Sequence, residues 1–240
     1  MYILSLETST KIFSLAVSKN NQMLRFRNIR TDKILESSII GAIDKLLASC
    51  ELNLKNIDAL AVGLGPGSFT SLRVGLSTLK AFVLATGKKL VGISSLDVLA
   101  SSILDQKADE ICTIIDARRG KEYEAIYGST RPAKGRSRSP LCDKTLTRKT
   151  DYLLATIDDV LDRAHGTTLF VGDGLRLYKE HIEKTYRAGR PIFALEKFWF
   201  PKATELAKLA FKRLENKEYD DPVNIVPIYL YAQDCQVDRK

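Results

Sequence analysis

The chain has 240 residues, of which 45% are hydrophobic and 28% charged, and this composition fits a globular protein with one large or two modest domains. Its formal net charge of +8 suits an anionic partner such as RNA without requiring one, because many globular proteins carry a similar charge. Widely spaced cysteines, no run of about 18 apolar residues and no signal-peptide pattern argue against a disulfide framework, a membrane partner and export, so we expect a cytoplasmic protein.

The first half of the chain predicts a β-β-β-α-β-α-β-α unit. Three short segments alternate apolar and polar residues, which is the pattern of an antiparallel meander. Segments with apolar residues at helical spacing then alternate with short apolar runs that are typical of buried strands. The predicted elements are strands at 2–6, 12–18 and 23–29, a helix over 33–49, a strand at 57–62, a helix over 69–86, a strand at 88–94 and a helix from about Ser95.

The second half repeats this order. Gly172 and Gly174 follow a strand there, as Gly65 and Gly67 do in the first half, so both halves contain the same strand-to-glycine turn. The predicted elements are strands at 110–118, 121–128 and 138–143, a helix over 150–163, a strand at 167–171, a helix over 175–185, a strand at 191–195 and a helix over 202–216.

Two such halves are the plan of the actin-like ATPase and sugar-kinase superfamily. We therefore predict an α/β, duplicated actin-like fold of the ASKHA, ribonuclease H-like type. The expected subdomains are 1–105 and 106–240. The first contains the helices predicted over 33–49 and 69–86, which we expect to bind a partner protein. We expect the last helix and tail, about 202–240, to pack back on the first subdomain.

The stretch GLGPGSFTSLRVG, residues 63–75, lies where a strand turns into a helix, and helix N-termini bind anions. It matches neither G-x-x-x-x-G-K-[ST] nor G-x-G-x-x-G, so the phosphate-binding signal is weak. Ser68 is expected to cap the following helix, while the glycines permit a tight turn. A weak nucleotide or anion contact is predicted for five residues at this loop and the first hairpin: Glu7, Thr8, Ser9, Gly65 and Gly67.

Four sequence blocks closely resemble the TsaB (YeaZ) family, bacterial proteins that take part in making threonylcarbamoyladenosine next to the tRNA anticodon. The blocks are GLGPGSFTSLRVGLSTLKAF, VGISSLDVLA, IDARRGKEYEAIY and VPIYL. The match spans most of residues 1–130 and reappears only at the C-terminus. The long G-P-G-S-F-T block makes a chance match improbable.

The resemblance implies a non-catalytic subunit without a cofactor. Such a subunit forms a heterodimer with a TsaD-like paralog, works with a TsaE-like ATPase, forms a homodimer when alone and meets tRNA through the complex. Catalytic paralogs hold a metal with two histidines on one helix, and the corresponding positions here, Ser95 and Leu99, cannot ligate one. We therefore expect neither a metal site nor a catalytic residue in this chain.

A small-molecule kinase of the same superfamily is the alternative function. Superfamily kinases place a carboxylate on the first strand, and Glu7 stands there, where the TsaB family usually has Asp. Two further departures are Ser71 in place of glycine and Tyr231 in place of arginine. A histidine that the family has before the first helix is missing from RTDKILES.

The helices predicted over 33–49 and 69–86 form the contact with the paralog in the family that the chain resembles. Ser71, Gly75 and Thr78 give the second helix a small-residue face that allows another helix to come close. The alternative is that both faces of this helix are buried within the chain. The predicted partner interface comprises Leu35, Ile39, Ile43, Ser68, Phe69, Ser71, Leu72, Gly75 and Thr78.

Overall fold

The structure is a computed structural model and describes residues 1–30, 39–104, 106–130 and 145–231. Its residues divide into two compact units. The first comprises Met1–Ser102 and Phe200–Ile228, and the second comprises Ile103–Trp199 together with the described residues that follow Ile228. Leu35 and the basic loop over 131–140 lie outside the described residues.

The first unit contains a mixed five-stranded sheet. The strands are β1 (Tyr2–Glu7), β2 (Ile12–Lys19), β3 (Gln22–Arg30), β4 (Ala59–Gly63) and β5 (Lys89–Ile93). Their order is β3-β2-β1-β4-β5. The first three strands are antiparallel, while β4 and β5 run parallel to β1. The short predicted turns therefore join antiparallel neighbours, and the predicted helices make the parallel crossovers.

Helices cover both faces of this sheet. They are α1 (Ile39–Ala48), α2 (Phe69–Thr86), α3 (Ser95–Ser101) and α6 (Ala203–Glu215). Alternate residues of the strands pack toward opposite faces: Leu4 and Leu60 lie in a cluster with α1 and α2, whereas Ile3 and Ala59 pack with residues of α6. This period of two is what the meander pattern in the sequence predicts.

The second unit repeats the strand order of the first. Its strands are β6 (Glu110–Arg118), β7 (Lys121–Thr130), β8 (Thr145–Arg148), β9 (Leu153–Ala155), β10 (Gly166–Val171) and β11 (Gly189–Phe193). They form the order β11-β10-β6-β7-β8, with β9 also paired to β7. Counted along each sheet from β3 and from β8, and with β9 left out of the count, both sheets have the order third-second-first-fourth-fifth. The predicted α/β fold with a duplicated actin-like plan is confirmed.

One predicted element of the second unit begins at the wrong residue. The helix predicted over 150–163 is α4 (Ile157–Arg163), and β9 occupies the residues before it. Thr156 fixes the helix start because its side chain accepts from the Asp159 amide and the Asp159 side chain accepts from the Thr156 amide, which is a capping box. Helix α5 (Leu175–Thr185) matches its prediction. The strand predicted near 138–143 lies outside the described residues.

None of the helices in the described part of the chain is long and apolar enough to cross a membrane.

Candidate functional site

The glycine loop after β4 packs against the β1–β2 hairpin of its own unit. The Ser68 amide donates to the Ser9 carbonyl over 2.7 Å, and the Gly65 amide donates to the Ser95 hydroxyl over 3.2 Å. A side chain on Gly67 would collide with the Ser9 carbonyl. These two amides are therefore already paired within the chain, and the Ser9 backbone lies directly against Gly67.

Glu7 connects the β1–β2 hairpin to α3 through its buried carboxyl group. Its carboxyl is fully buried, with Oε1 accepting from the Ser9 amide at 2.8 Å and Oε2 accepting from the Ser95 hydroxyl at 2.9 Å. Burial raises the pKa of Glu7, and the hydrogen bonds from Ser9 and Ser95 oppose this rise. Gly63 lies directly against the carboxylate, where any side chain would collide with it. The geometry thus uses Glu7 as an internal link between β1, β4 and α3.

The five residues predicted to contact an anion therefore form an internal junction. Thr8 and Ser9 are 1% and 2% exposed, and Gly65 is also buried. Ser68 occupies the N-cap position of α2, but its side chain makes no cap hydrogen bond. Its hydroxyl donates to the Ser71 hydroxyl at 3.0 Å instead, so the predicted capping role of Ser68 is wrong.

The predicted partner residues divide between the core and the surface. Ile39, Ile43 and Leu72 are at most 2% exposed. Gly75 is buried, and an added Cβ there would lie 2.6 Å from Thr8 Oγ1. These four residues pack within the first unit and are unavailable to a partner, which corrects their assignment to an interface.

Other residues of α2 are exposed, both in its first turn and along the side away from this core. Phe69 is 52% exposed, and the Arg73 guanidinium lies 3.8 Å from the centre of its ring. Ser68 is exposed, while Ser71 and Thr78 are half-buried. On α1, Ile40 is 56% exposed although its neighbour Ile39 is buried. Helical spacing explains this difference, because adjacent residues point about 100° apart.

The second unit contains a group of acidic side chains that the sequence analysis missed. Glu122, at the start of β7, is 0% exposed, and neither of its carboxyl oxygens has a hydrogen-bond partner among the described residues. Its Oε2 lies against Gly174, where a side chain would collide with it. Burial, followed by the charges of Asp116 and Asp173, raises the pKa of Glu122 to about 8.

The two neighbouring carboxylates, Asp116 and Asp173, are held by contacts with residues near the ends of β6 and β10. Asp116 Oδ1 accepts from the Arg118 amide at 2.8 Å, and Oδ2 lies 3.3 Å from the Arg118 guanidinium. Asp173 Oδ1 accepts from the Asp116 amide at 3.2 Å. The sequence signal for this group is the pair Glu122 and Glu124, which occupy alternate positions of one strand and therefore point to the same face.

No group of three or more His, Cys, Asp or Glu side chains within the described ranges is arranged to hold a metal ion. Ser95 and Leu99, the positions aligned with the metal-binding helix of the catalytic paralogs, are both fully buried. His181 Nε2 lies 2.7 Å from Asp158 Oδ1 in an exposed contact.

Comparisons with known proteins identify the family. A family model described as TsaD, tRNA N6-adenosine threonylcarbamoyltransferase, matches residues 31–239. The TsaB protein of Bacillus subtilis, named as a tRNA threonylcarbamoyladenosine biosynthesis protein, is 25% identical over 98% of this chain and 96% of its own length. The chain is a member of the TsaB/YeaZ family.

Other members of the TsaB/YeaZ family match more locally or by structure. The TsaB protein of Haemophilus influenzae is 31% identical over 122 residues, which are 50% of this chain and 51% of that protein. YeaZ from Pseudomonas aeruginosa has the same fold, with a TM-score of 0.73 and 22% identity over 95% of this chain and 99% of its own. A second structure similar to YeaZ, also from Pseudomonas aeruginosa, gives a TM-score of 0.76 at 22% identity, covering 96% of this chain and 99% of that one.

Two departures from the TsaB/YeaZ pattern have a structural role in this chain. Tyr231 donates its hydroxyl to the Ala117 carbonyl at 2.8 Å, and its ring meets Tyr123 edge to face, so it anchors its own position of the chain to β6 and β7. Ser71 accepts the Ser68 hydroxyl at the start of α2. RTDKILES, which lacks the family histidine, lies largely outside the described residues.

Proposed function

We propose that this chain is a non-catalytic subunit required for threonylcarbamoyladenosine modification of tRNA next to the anticodon. It binds and activates a TsaD-like transferase, which moves threonylcarbamoyl from its adenylate to tRNA, and it works together with a TsaE-like ATPase. The main support is the match to the Bacillus subtilis relative, because it spans nearly the whole of both chains and that relative is named for threonylcarbamoyladenosine biosynthesis.

The geometry of the first unit favours a subunit over a kinase. A kinase of this superfamily needs a first-strand carboxylate that can organise a metal–phosphate group. Glu7 is fully buried, and both of its oxygens accept hydrogen bonds from its own chain. Using Glu7 on a ligand would break the link between the hairpin, the glycine loop and α3, so the alternative of a small-molecule kinase is less favoured.

The partner surface proposed here is the exposed side of α1 and α2. Both helices pack on one face of the first sheet through their buried residues, which leaves Ile40 and Phe69 more than half exposed. Arg73 covers one side of the Phe69 ring and adds a positive charge beside it. An exposed aromatic ring with an arginine against it is typical of the residues that dominate protein interfaces. The same surface would pair two copies when the paralog is absent.

Phe69→Glu should weaken binding to the TsaD-like protein at least tenfold while the fold is kept. Phe69 is 52% exposed, so its loss opens no cavity, whereas a carboxylate at a desolvated contact costs binding free energy. The measurement is the dissociation constant of the purified pair. Leu177→Glu is the matched control, because Leu177 is 59% exposed on α5 of the second unit. Equal affinity for wild type and Phe69→Glu would place the partner surface elsewhere.

A further inference from the structure

Strand β3 is an edge of the first sheet, and the described residues leave most of its length uncovered. It pairs only with β2 among the described strands, and every one of its residues except Met23 is exposed. The outer side of an edge strand carries backbone amides and carbonyls that can pair with another extended segment. Nine residues are enough for a partner strand of ordinary length.

The two faces of β3 differ in chemistry. Arg25, Arg27 and Ile29 stand opposite β2 residues that pack toward α1, so they lie on the α1 face. Phe26, Asn28 and Arg30 stand opposite Ala16, Ser14 and Ile12 and lie on the other face. Phe26 is 52% exposed. The edge thus has two arginines on the α1 face, and an exposed aromatic ring with one arginine on the other.

The charged residues of the hairpin that ends in this edge have one sign. Residues 11–30, which comprise Lys11, β2, β3 and their turn, contain five basic and no acidic residues. Arg25 makes one long contact, from Nη2 to the Ser49 carbonyl at 3.5 Å. An added strand with acidic side chains on the α1 face would bring opposite charges into cross-strand contact, and such pairs stabilise a sheet.

Two antiparallel registers of a second copy of β3 would bring like charges together at this edge. Antiparallel pairing centred on Phe26 places Arg25 of each copy opposite Arg27 of the other, and pairing centred on Arg27 places that residue opposite itself. Like charges directly opposite each other destabilise the pair. Single-stranded nucleic acid also fits poorly, because such binders combine stacking and phosphate contacts in one groove. Arg25 and Arg27 lie on the face opposite to Phe26, and Arg30, on the Phe26 face, already interacts within the chain.

We propose that β3 is a docking edge for an extended segment of a partner protein that adds to the sheet as a sixth strand. The segment alternates acidic residues, which face Arg25 and Arg27, with apolar residues, which pack on Phe26. Backbone hydrogen bonds supply affinity and the alternating side chains supply selectivity, as in other cases of strand addition. This proposal uses no residue of the α1 and α2 surface proposed for the TsaD-like partner, so the two proposals fail independently.

Binding of short labelled peptides to the full chain tests this docking edge. The probe is a nine-residue peptide of alternating Val and Glu. One comparison peptide alternates Val and Lys, and another is the Val–Glu peptide with N-methyl groups on every second residue, which block backbone pairing. Fluorescence anisotropy should show the Val–Glu peptide binding at least tenfold more tightly than either comparison peptide.

Charge reversal at Arg25 and Arg27 is the second test of the docking edge. R25E/R27E should weaken the Val–Glu peptide at least tenfold and favour the Val–Lys peptide. The matched control is R187E/R190E, since Arg187 and Arg190 are also exposed and Arg190 lies on β11, the edge strand of the other sheet. The proposal is wrong if no peptide binds, if the methylated peptide binds equally well, or if R25E/R27E impairs only tRNA binding. The comparison with the N-methylated peptide uses the wild-type chain, so it tests the proposal even if a variant does not fold.

Discussion

Gly75→Arg is expected to lower the free energy of unfolding by at least about 3 kcal/mol and to leave little folded protein. Gly75 lies in the middle of α2, and a Cβ there would stand 2.6 Å from Thr8 Oγ1 and 2.9 Å from Thr8 Cγ2. Thr8 is 1% exposed and cannot move aside without displacing the hairpin. The substitution therefore overpacks the junction and buries a charge, two changes that destabilise strongly.

The matched control for Gly75→Arg is Gly41→Arg. Gly41 is also a helical glycine, but it is exposed on α1 and an added Cβ meets nothing within 4 Å. Arginine has a higher helix propensity than glycine, so this variant should be as stable as the wild type or more so. Urea unfolding followed by circular dichroism measures both. A folded Gly75→Arg chain with a wild-type midpoint would contradict the packing of α2 against the β1–β2 hairpin.

Glu122→Gln should remove a pH dependence of stability that the wild-type chain shows between about pH 5 and pH 8. The pKa of Glu122 is raised from the ordinary value of 4.5 to about 8, so the folded chain holds this proton more tightly than the unfolded chain. Such a group stabilises the fold fully below pH 4.5, and the stabilisation is lost as the pH rises through about 8. The full loss is on the order of 5 kcal/mol, at about 1.4 kcal/mol for each pH unit.

Unfolding free energies measured at pH 5 and pH 9 test this effect. Glutamine keeps the shape of the protonated side chain, so wild type and Glu122→Gln should be similar at pH 5, and the variant should be the more stable at pH 9. Glu7 and Glu124 also have raised pKa values, and therefore only the difference between wild type and variant reports Glu122. Glu180→Gln, at an exposed position of α5, is the control. Parallel pH profiles for wild type and Glu122→Gln would contradict the account.

The fold was predictable because its signals are local. The alternation in β1 and β2 and the helical stripe of α2 depend on residues a few positions apart, and α2 begins and ends where the pattern predicts, at Phe69 and Thr86. The start of α4 was missed because the short strand β9 is defined by its pairing with β7. That pairing joins residues about 30 positions apart in the chain, so no local pattern reveals it.

The site was less predictable because its contacts are not local. A small-residue face on α2 allows close approach, but the sequence does not say what approaches, and the structure shows Thr8 of the same unit against Gly75. Similarly, the carboxylate of Glu7 looks available in the motif LETST, although its partner Ser95 lies 88 residues further along. The sequence could have indicated Glu122, since acidic residues at two alternate positions of an apolar strand require an explanation.

Reconstitution of tRNA modification with purified proteins tests the central claim most directly. The TsaD-like transferase and the TsaE-like ATPase from the same source are incubated with unmodified tRNA and the threonylcarbamoyl donor, with and without this chain. We expect threonylcarbamoyladenosine to form at least tenfold faster when the chain is present, and none to form with the chain alone. Equal rates with and without the chain, or turnover by the isolated chain, would contradict its role as a non-catalytic subunit.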